Sequence, residues 1–152
     1  YYKDGKAAKT PIMVGYQAAG SAPFVKGTMI DNPETIATAI RIGHPQSWDL
    51  AHTVKEESKG WFKAISDKRI LATQKLLTEK EGIFCEPASA ASLAGLIHDI
   101  QHGHIPDKSK IVCTLTGHGL KDPDVAISQC NDAMININPV MSEVRDAILN
   151  NM

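Results

Sequence analysis

The segment Thr116-Gly117-His118-Gly119 holds the residue types best suited to chemistry, and it directly follows an apolar run. Two glycines permit a tight turn whose backbone N–H groups could face an anion or a planar ligand. The Thr116 hydroxyl, at the tip of a predicted strand, can donate a hydrogen bond to a ring heteroatom or accept one from it. The G-x-G-x-x-G dinucleotide fingerprint is incomplete, because Asp122 occupies the third glycine position. A plain strand-to-helix turn explains the same spacing, so both interpretations stay open.

A second polar segment, Glu86-Pro87-Ala88-Ser89-Ala90, also follows a short apolar run. Pro87 at the first helical position predicts a helix N-terminus here. The Glu86 carboxylate either caps the free amides of that first turn or belongs to a site. The side chains along this helix are so small that another element must pack closely against it. A sheet is a simpler explanation of this close packing than a cofactor.

Three histidines, His98, His102 and His104, lie near the end of the same predicted helix. A metal site needs three or four converging donors with supporting hydrogen bonds, whereas the helix dipole favours cations at a C-terminus. We therefore predict no metal site. A Gly-x-Ser-x-Gly elbow is absent and Cys113 lies within a predicted strand, so nucleophilic hydrolysis has little support.

The three cysteines, Cys85, Cys113 and Cys130, are not arranged in a C-x-x-C spacing. They predict reduced thiols in a reducing compartment, with Cys85 as a buried structural thiol.

The composition is that of a soluble globular domain, with 152 residues, 43% hydrophobic and 22% charged, and a net charge of −1. Without a basic block the chain lacks the charge that nucleic-acid binding requires, so nucleic acid is not an expected partner. No apolar run reaches the roughly 18 residues that span a membrane, and no signal-peptide core is found. We expect a cytoplasmic protein that does not bind membranes.

Short apolar runs alternate with helical segments along the chain, and this order predicts the fold class. The predicted strands are residues 11–16, 61–65, 83–85 and 111–116. The predicted helices are residues 33–42, 47–59, 66–81, 87–102 and 142–149. This alternation indicates βαβ connections and an α/β fold with a mostly parallel sheet covered by helices. Ligands of such sheets bind beyond the carboxyl ends of the strands, which directs attention to the loops after Tyr16, Cys85 and Thr116.

The chain divides into three parts. Residues 1–10 are polar and are predicted to be a linker or the tail of a missing amino-terminal part. Residues 11–130 carry the α/β domain, and residues 131–152 form a carboxyl-terminal appendage. We expect the chain to be a fragment of a longer protein.

Four blocks in this order resemble the carboxyl-terminal part of threonine synthases: residues 15–23, 33–43, 84–92 and 115–123. The resemblance implies a three-layer α/β sandwich of the tryptophan synthase β-like class with pyridoxal 5'-phosphate as cofactor. It also implies conversion of O-phospho-L-homoserine and water to L-threonine and phosphate. The cofactor acts as an electron sink in such reactions.

The resemblance assigns cofactor-binding roles to six residues. Thr116 would hydrogen-bond the pyridine nitrogen, Glu86 would lie near the pyridine end, and small side chains would leave room for the ring. The six are Thr116, Ala18, Ala19, Gly20, Glu86 and Gly117.

The same resemblance implies that essential parts lie elsewhere. The Schiff-base lysine and the phosphate-binding loop of the family belong to the amino-terminal part, so no catalytic residue is assigned in this chain. Lys121 is expected to be solvated. The chain alone is expected to be inactive, with the amino-terminal part of the same enzyme as its partner and a homodimer as the assembly.

Two alternatives stay open. A sibling lyase such as threonine dehydratase shares the scaffold, although the block at residues 116–123 favours the synthase. A stand-alone, non-catalytic binding module is the other alternative.

Overall fold

The secondary structure consists of short parallel strands connected and covered by helices. The computed structural model describes residues 1–130 and 135–150. The elements are β1 Val14–Ala18, α1 Pro23–Lys26, α2 Trp48–Ser58, β2 Trp61–Ile65, α3 Asp67–Glu81, α4 Pro87–Gln101, α5 Pro123–Ser128 and α6 Met141–Leu149. Short 3₁₀ turns occupy Thr38–Ile40 and Gly119–Lys121.

The sheet pairs β1 and β2 in parallel, with Val14 opposite Trp61 and Ala18 opposite Ile65. Because side chains alternate along a strand, its two faces meet different helices. On one face the Trp61 side chain hydrogen-bonds to Asp99 of α4. On the other face the ring of Phe62 stacks on Phe24 of α1, with centroids 4.8 Å apart. The chain therefore has the predicted three-layer α/β architecture with a parallel sheet.

The core lies between the sheet and the packed helices α3 and α4. Small side chains let α4 approach the strands closely. A Cβ atom on Gly95 would lie only 2.1 Å from the ring of Tyr16 in β1. The small residues of α4 thus serve helix-on-sheet packing, as predicted. The buried cluster is Ala18, Ile65, Ile70, Leu77, Cys85, Ala90, Ala91 and Ala94.

The ends of α3 and α4 follow the predicted signals. The Ser66 hydroxyl accepts a hydrogen bond from the Arg69 amide, and Gly82 ends α3 in the left-handed region with φ of 67°. Pro87 opens α4. The predicted helices at residues 47–59 and 142–149 are also confirmed, as α2 and α6.

Two predicted strands are wrong. Residues 83–85 contribute only an isolated bridge between Cys85 and His118, and residues 111–116 belong to no strand. A strand needs a hydrogen-bonding neighbour, and within the described residues β1 and β2 pair only with each other. Val112 is consequently 92% exposed. The first strand also starts later than predicted, since the Met13 amide donates to the Ser58 hydroxyl, 3.2 Å away.

The predicted helix at residues 33–42 is wrong as well, because side chains compete for its first amides. Asp67 accepts from the Thr35 hydroxyl at 2.6 Å and from the Ile36 amide at 2.9 Å. The Thr35 hydroxyl oxygen accepts from the Ala37 amide at 3.1 Å. Only Thr38–Ile40 coils, as a 3₁₀ turn.

Part of the predicted appendage, residues 131–134 and 151–152, lies outside the described residues. The division into three parts stays a prediction. No helix in the described ranges is both long and apolar enough to cross a membrane.

Candidate functional site

The site is built where the turn at Thr116 and Gly117 meets the first turn of α4. The Ser89 hydroxyl oxygen accepts hydrogen bonds from the amides of Thr116 and Gly117, each 2.9 Å long. The Gly117 carbonyl accepts in return from the Glu86 amide at 3.0 Å. These hydrogen bonds bring together three of the predicted site residues at the start of α4: Glu86, Thr116 and Gly117.

Glu86 is buried, at 1% exposure, and its carboxylate faces the turn. The Lys121 ammonium donates to Oε1 at 3.3 Å and lies 3.1 Å from Oε2. The Thr116 hydroxyl donates to Oε1 over a long 3.5 Å. Among the described residues Oε2 has no partner with hydrogen-bond geometry.

These contacts correct two expectations. Glu86 occupies the N-cap position of α4, but its side chain accepts no hydrogen bond from the helix amides. Capping is therefore the wrong interpretation, because the carboxylate turns toward Lys121 and Thr116 instead. Lys121 is not simply solvated: its side chain is 58% exposed, yet its ammonium forms an ion pair with Glu86.

The two glycines of the turn are required by close approach. A Cβ atom on Gly117 would lie 2.1 Å from Glu86 Oε1, and one on Gly119 would lie 2.4 Å from the Phe84 ring. Neither glycine is in the left-handed region. Their amides do not face an anion, contrary to that interpretation, because they donate to Ser89 and to the Phe84 carbonyl.

Of the predicted loop residues, Ala18 is the last residue of β1, and Ala19 and Gly20 follow it. Ala18 is fully buried in the core cluster beside α4. The Ala19 amide donates to the Ile65 carbonyl at 2.8 Å, and a Cβ atom on Gly20 would lie 2.0 Å from the Glu34 carbonyl oxygen. These contacts fix the loop, and its place beside a ring stays a prediction.

Sequence reasoning missed a buried carboxylate, Asp99, near the end of α4. Its Oδ2 accepts from the Tyr16 hydroxyl and the Trp61 indole, both at 2.7 Å, and its Oδ1 accepts from Lys63. Burial favours the neutral acid, but the hydrogen bonds from Lys63, Tyr16 and Trp61 prevail and hold the pKa of Asp99 well below its usual range. No sequence pattern signals these contacts, since the donors come from two distant strands.

Two of the three histidines lie against this carboxylate. Nδ1 of His98 and Nδ1 of His104 lie 3.4 and 3.3 Å from Asp99 Oδ1, and the rings of His98 and His102 stack with centroids 4.1 Å apart. No group of three or more histidine, cysteine, aspartate or glutamate side chains within the described ranges is arranged to hold a metal ion.

All three cysteines are free. Cys85 is buried, and burial followed by the charge of Glu86 raises the pKa of its thiol. Burial also raises the pKa of Cys113. A raised pKa keeps both groups as thiols rather than nucleophilic thiolates, so Cys85 is the structural thiol that was predicted.

A parallel sheet between helical layers is the arrangement of α/β enzymes. Residues 1–117 match the sequence model of the family described as pyridoxal-phosphate dependent enzyme. The chain belongs to this family, whose cofactor is pyridoxal phosphate.

Several curated relatives are similar in sequence, and each carries the name threonine synthase. The protein of Synechocystis sp. is 48% identical over 149 residues, which are 97% of this chain and 38% of the relative. That of Mycobacterium tuberculosis strain H37Rv is 51% identical over 140 residues, or 92% of this chain and 38% of the relative. That of Methanocaldococcus jannaschii is 49% identical over 125 residues, or 77% and 31%. The chain therefore spans well under half the length of these relatives.

Two solved structures share the fold. A mutant of O-ureido-L-serine synthase with bound O-ureido-L-serine superposes with a TM-score of 0.60 at 14% identity, covering 90% of this chain and 38% of that one. A fungal L-serine ammonia-lyase from Rhizomucor miehei gives 0.57 at 16% identity, covering 77% and 41%. At these identities the likeness concerns the fold, and it confirms the predicted α/β class.

Proposed function

We propose that this chain is the carboxyl-terminal segment of a threonine synthase, which converts O-phospho-L-homoserine and water to L-threonine and phosphate. The observation that carries the proposal is the 48 to 51% identity to threonine synthases from a cyanobacterium, a mycobacterium and an archaeon. Family membership argues against a stand-alone binding module, and the shared name of these relatives argues against a sibling lyase such as threonine dehydratase.

The cluster around Thr116 fits the pyridine end of pyridoxal phosphate. Thr116 is exposed, and its backbone is held by Ser89, so its hydroxyl is available on a fixed turn. A hydroxyl group can donate to a pyridine nitrogen without forcing that nitrogen to carry a proton, as a carboxylate would. The nearby carboxylate, Glu86, is already engaged by Lys121.

When bound, pyridoxal phosphate supplies the electron sink that acidifies C–H bonds of the amino-acid substrate. In this proposal Thr116 binds the ring nitrogen, and Gly117 leaves the space in which Glu86 holds the turn. Ala19 and Gly20 are proposed to leave room beside the flat ring, and Ala18, which is buried in the core, supports their loop from the end of β1.

The remaining machinery is proposed to lie outside these 152 residues. The lysine that carries the cofactor and the loop that binds its phosphate would come from the amino-terminal part of the same polypeptide. This is supported by the chain spanning 38% of the Synechocystis relative. The complete enzyme is proposed to be a cytoplasmic homodimer, and the segment alone is proposed to be inactive.

The test is an assay of the complete protein with O-phospho-L-homoserine, following phosphate release and L-threonine formation. We expect stoichiometric phosphate and L-threonine, with little 2-oxobutyrate when L-threonine is the substrate. The reverse preference would identify a dehydratase and contradict the proposal.

The Thr116→Val variant tests the site within the same assay. Loss of one hydrogen bond of about 1 to 3 kcal/mol to the ring nitrogen predicts a turnover lowered by roughly 5- to 150-fold. Thr114→Val is the matched control, because Thr114 is an exposed threonine two residues earlier. Equal turnover of the two variants would contradict the role of Thr116.

A further inference from the structure

Ser89 is at the centre of the Thr116 turn, and the proposed function uses only its contact with the Thr116 backbone. It is 1% exposed and follows Pro87 by two residues in the first turn of α4. Its hydroxyl oxygen accepts from two backbone amides, those of Thr116 and Gly117. A serine hydroxyl has two acceptor positions and one proton, so both acceptor positions are filled and only the proton remains to be given.

Two oxygen atoms are within reach of that proton. Thr116 Oγ1 lies 3.2 Å from Ser89 Oγ, and the Gly117 carbonyl oxygen lies 3.3 Å away. The Gly117 carbonyl already accepts from the Glu86 amide. Thr116 Oγ1 receives no other hydrogen bond from the described part of the chain, so it is the better acceptor for Ser89.

Once Thr116 Oγ1 accepts from Ser89, the Thr116 proton must point away from Ser89. Its one acceptor in the described ranges is Glu86 Oε1 at 3.5 Å, which is the outer limit of a hydrogen bond. Glu86 also has a closer donor in Lys121, at 3.3 Å. The Thr116 proton is therefore weakly held and free for a better acceptor.

We propose that Ser89 is a positioning residue for the cofactor. It fixes the Thr116 turn through two amides and, by donating to Thr116 Oγ1, presents the Thr116 hydroxyl to the ring nitrogen as a hydrogen-bond donor. This inference rests on the proposed function, because it assumes that Thr116 meets the ring nitrogen of pyridoxal phosphate.

Ser92, one turn further along α4, provides a matched control. Its hydroxyl donates to the carbonyls of Ser89 and Thr114, at 2.9 and 3.4 Å. It makes neither of the contacts with Thr116 and Gly117 that distinguish Ser89. Ser92→Ala therefore removes a serine hydroxyl from the same helix without touching the proposed mechanism.

The experiment is a double-mutant cycle in the complete protein, with the dissociation constant of pyridoxal phosphate as its readout. Ser89→Ala and Thr116→Val are each expected to raise that constant about 10-fold, the loss expected for one hydrogen bond. Because Ser89 acts through Thr116, the double variant should be close to the worse single variant. Thr116→Ser keeps a hydroxyl at this position. In that background Ser89→Ala should again raise the dissociation constant of pyridoxal phosphate, unlike in the Thr116→Val background.

The outcomes separate the two proposals. Additive losses, or a Ser89→Ala variant that binds like Ser92→Ala, would overturn the positioning role. A wild-type protein that binds no pyridoxal phosphate would overturn the proposed function and this inference with it.

A second measurement uses the wild-type holoenzyme and therefore does not depend on whether a variant folds. The ¹⁵N chemical shift of a labelled ring nitrogen should report an unprotonated nitrogen that accepts a hydrogen bond. A protonated nitrogen would require Thr116 to accept, and would overturn the direction assigned here.

Discussion

At the scale of single residues, the site depends on a buried carboxylate that lies against a glycine. Glu86 is almost fully buried and its oxygen occupies the position where a side chain on Gly117 would begin. Burial of a charged group is tolerated when it is paired and hydrogen-bonded, here through Lys121 and Thr116. The glycine is thus a consequence of the carboxylate rather than of a special backbone conformation.

Gly117→Ala is expected to destabilise the protein, because its Cβ atom would lie 2.1 Å from Glu86 Oε1. Overpacking of this kind costs about 1 to 3 kcal/mol. The free energy of unfolding in urea measures the loss.

The same substitution should cost clearly less in a Glu86→Ala background, in which the carboxylate no longer fills the space. Equal costs in the two backgrounds would show that the clash with Glu86 is not the cause.

Some of these residues could be predicted from the sequence and others could not. Thr116, Gly117 and Glu86 belong to short segments whose composition is unusual, so local reasoning singles them out. Ser89 lies in a run of alanine and serine residues, a pattern that indicates only close helix packing. Its contact with Thr116 joins residues 27 positions apart in the chain. The pairing of Lys121 with Glu86 likewise depends on the turn between them.

At the scale of secondary-structure elements, Asp99 connects α4 to both strands. Tyr16 comes from β1, and Trp61 and Lys63 come from β2, and all three donate to the one carboxylate. The strand that ends at Ala18 is therefore held against α4, whose first turn carries Ser89 and is preceded by Glu86. We infer that this connection fixes the relative placement of the two loops of the site.

Asp99→Asn is expected to lower the free energy of unfolding by about 3 to 5 kcal/mol at neutral pH, since it breaks a buried ionic network. The pKa of Asp99 is lower in the folded protein than its unfolded value of about 3.9. Its stabilisation is thus complete above about pH 5 and is lost as the pH falls through the folded pKa. Urea unfolding from pH 7 to pH 3 measures it.

The difference between wild type and Asp99→Asn should shrink below about pH 4. Asp107→Asn, at an exposed loop position, is the control and should show a small, flat difference. A difference for Asp99 that grows below about pH 4 would contradict the assignment.

Element prediction succeeded where the signal was local. Ser66, Gly82 and Pro87 mark helix ends directly in the sequence, and the structure follows them. It failed at residues 111–116, because an apolar run specifies a strand only when a neighbouring strand supplies its hydrogen bonds.

At the scale of the whole molecule, much apolar surface is uncovered in this chain. The exposed side chains include Ile111, Val112, Leu115 and Leu120, which border the Thr116 turn. Contiguous exposed apolar side chains of this kind indicate a surface that another body covers. In the proposed complete enzyme that body is the amino-terminal part of the same polypeptide.

Val112→Asp tests this in the complete protein. Although Val112 is 92% exposed in this chain, burying an unpaired charge there would cost about 2 kcal/mol or more if the segment is covered. Thermal unfolding measures the effect. Lys110→Asp, an exposed position two residues earlier, is the control, and similar melting temperatures for both variants would show that the segment stays open to solvent.

Mapping the cofactor lysine tests most directly whether this chain is one part of a longer pyridoxal-phosphate enzyme. Borohydride reduction of the complete protein in the presence of pyridoxal phosphate fixes the cofactor on its lysine. Mass spectrometry then identifies the modified peptide. We expect one pyridoxyl-phosphate adduct on a lysine outside these 152 residues. An adduct on a lysine within this chain, or a protein that carries no adduct, would contradict it.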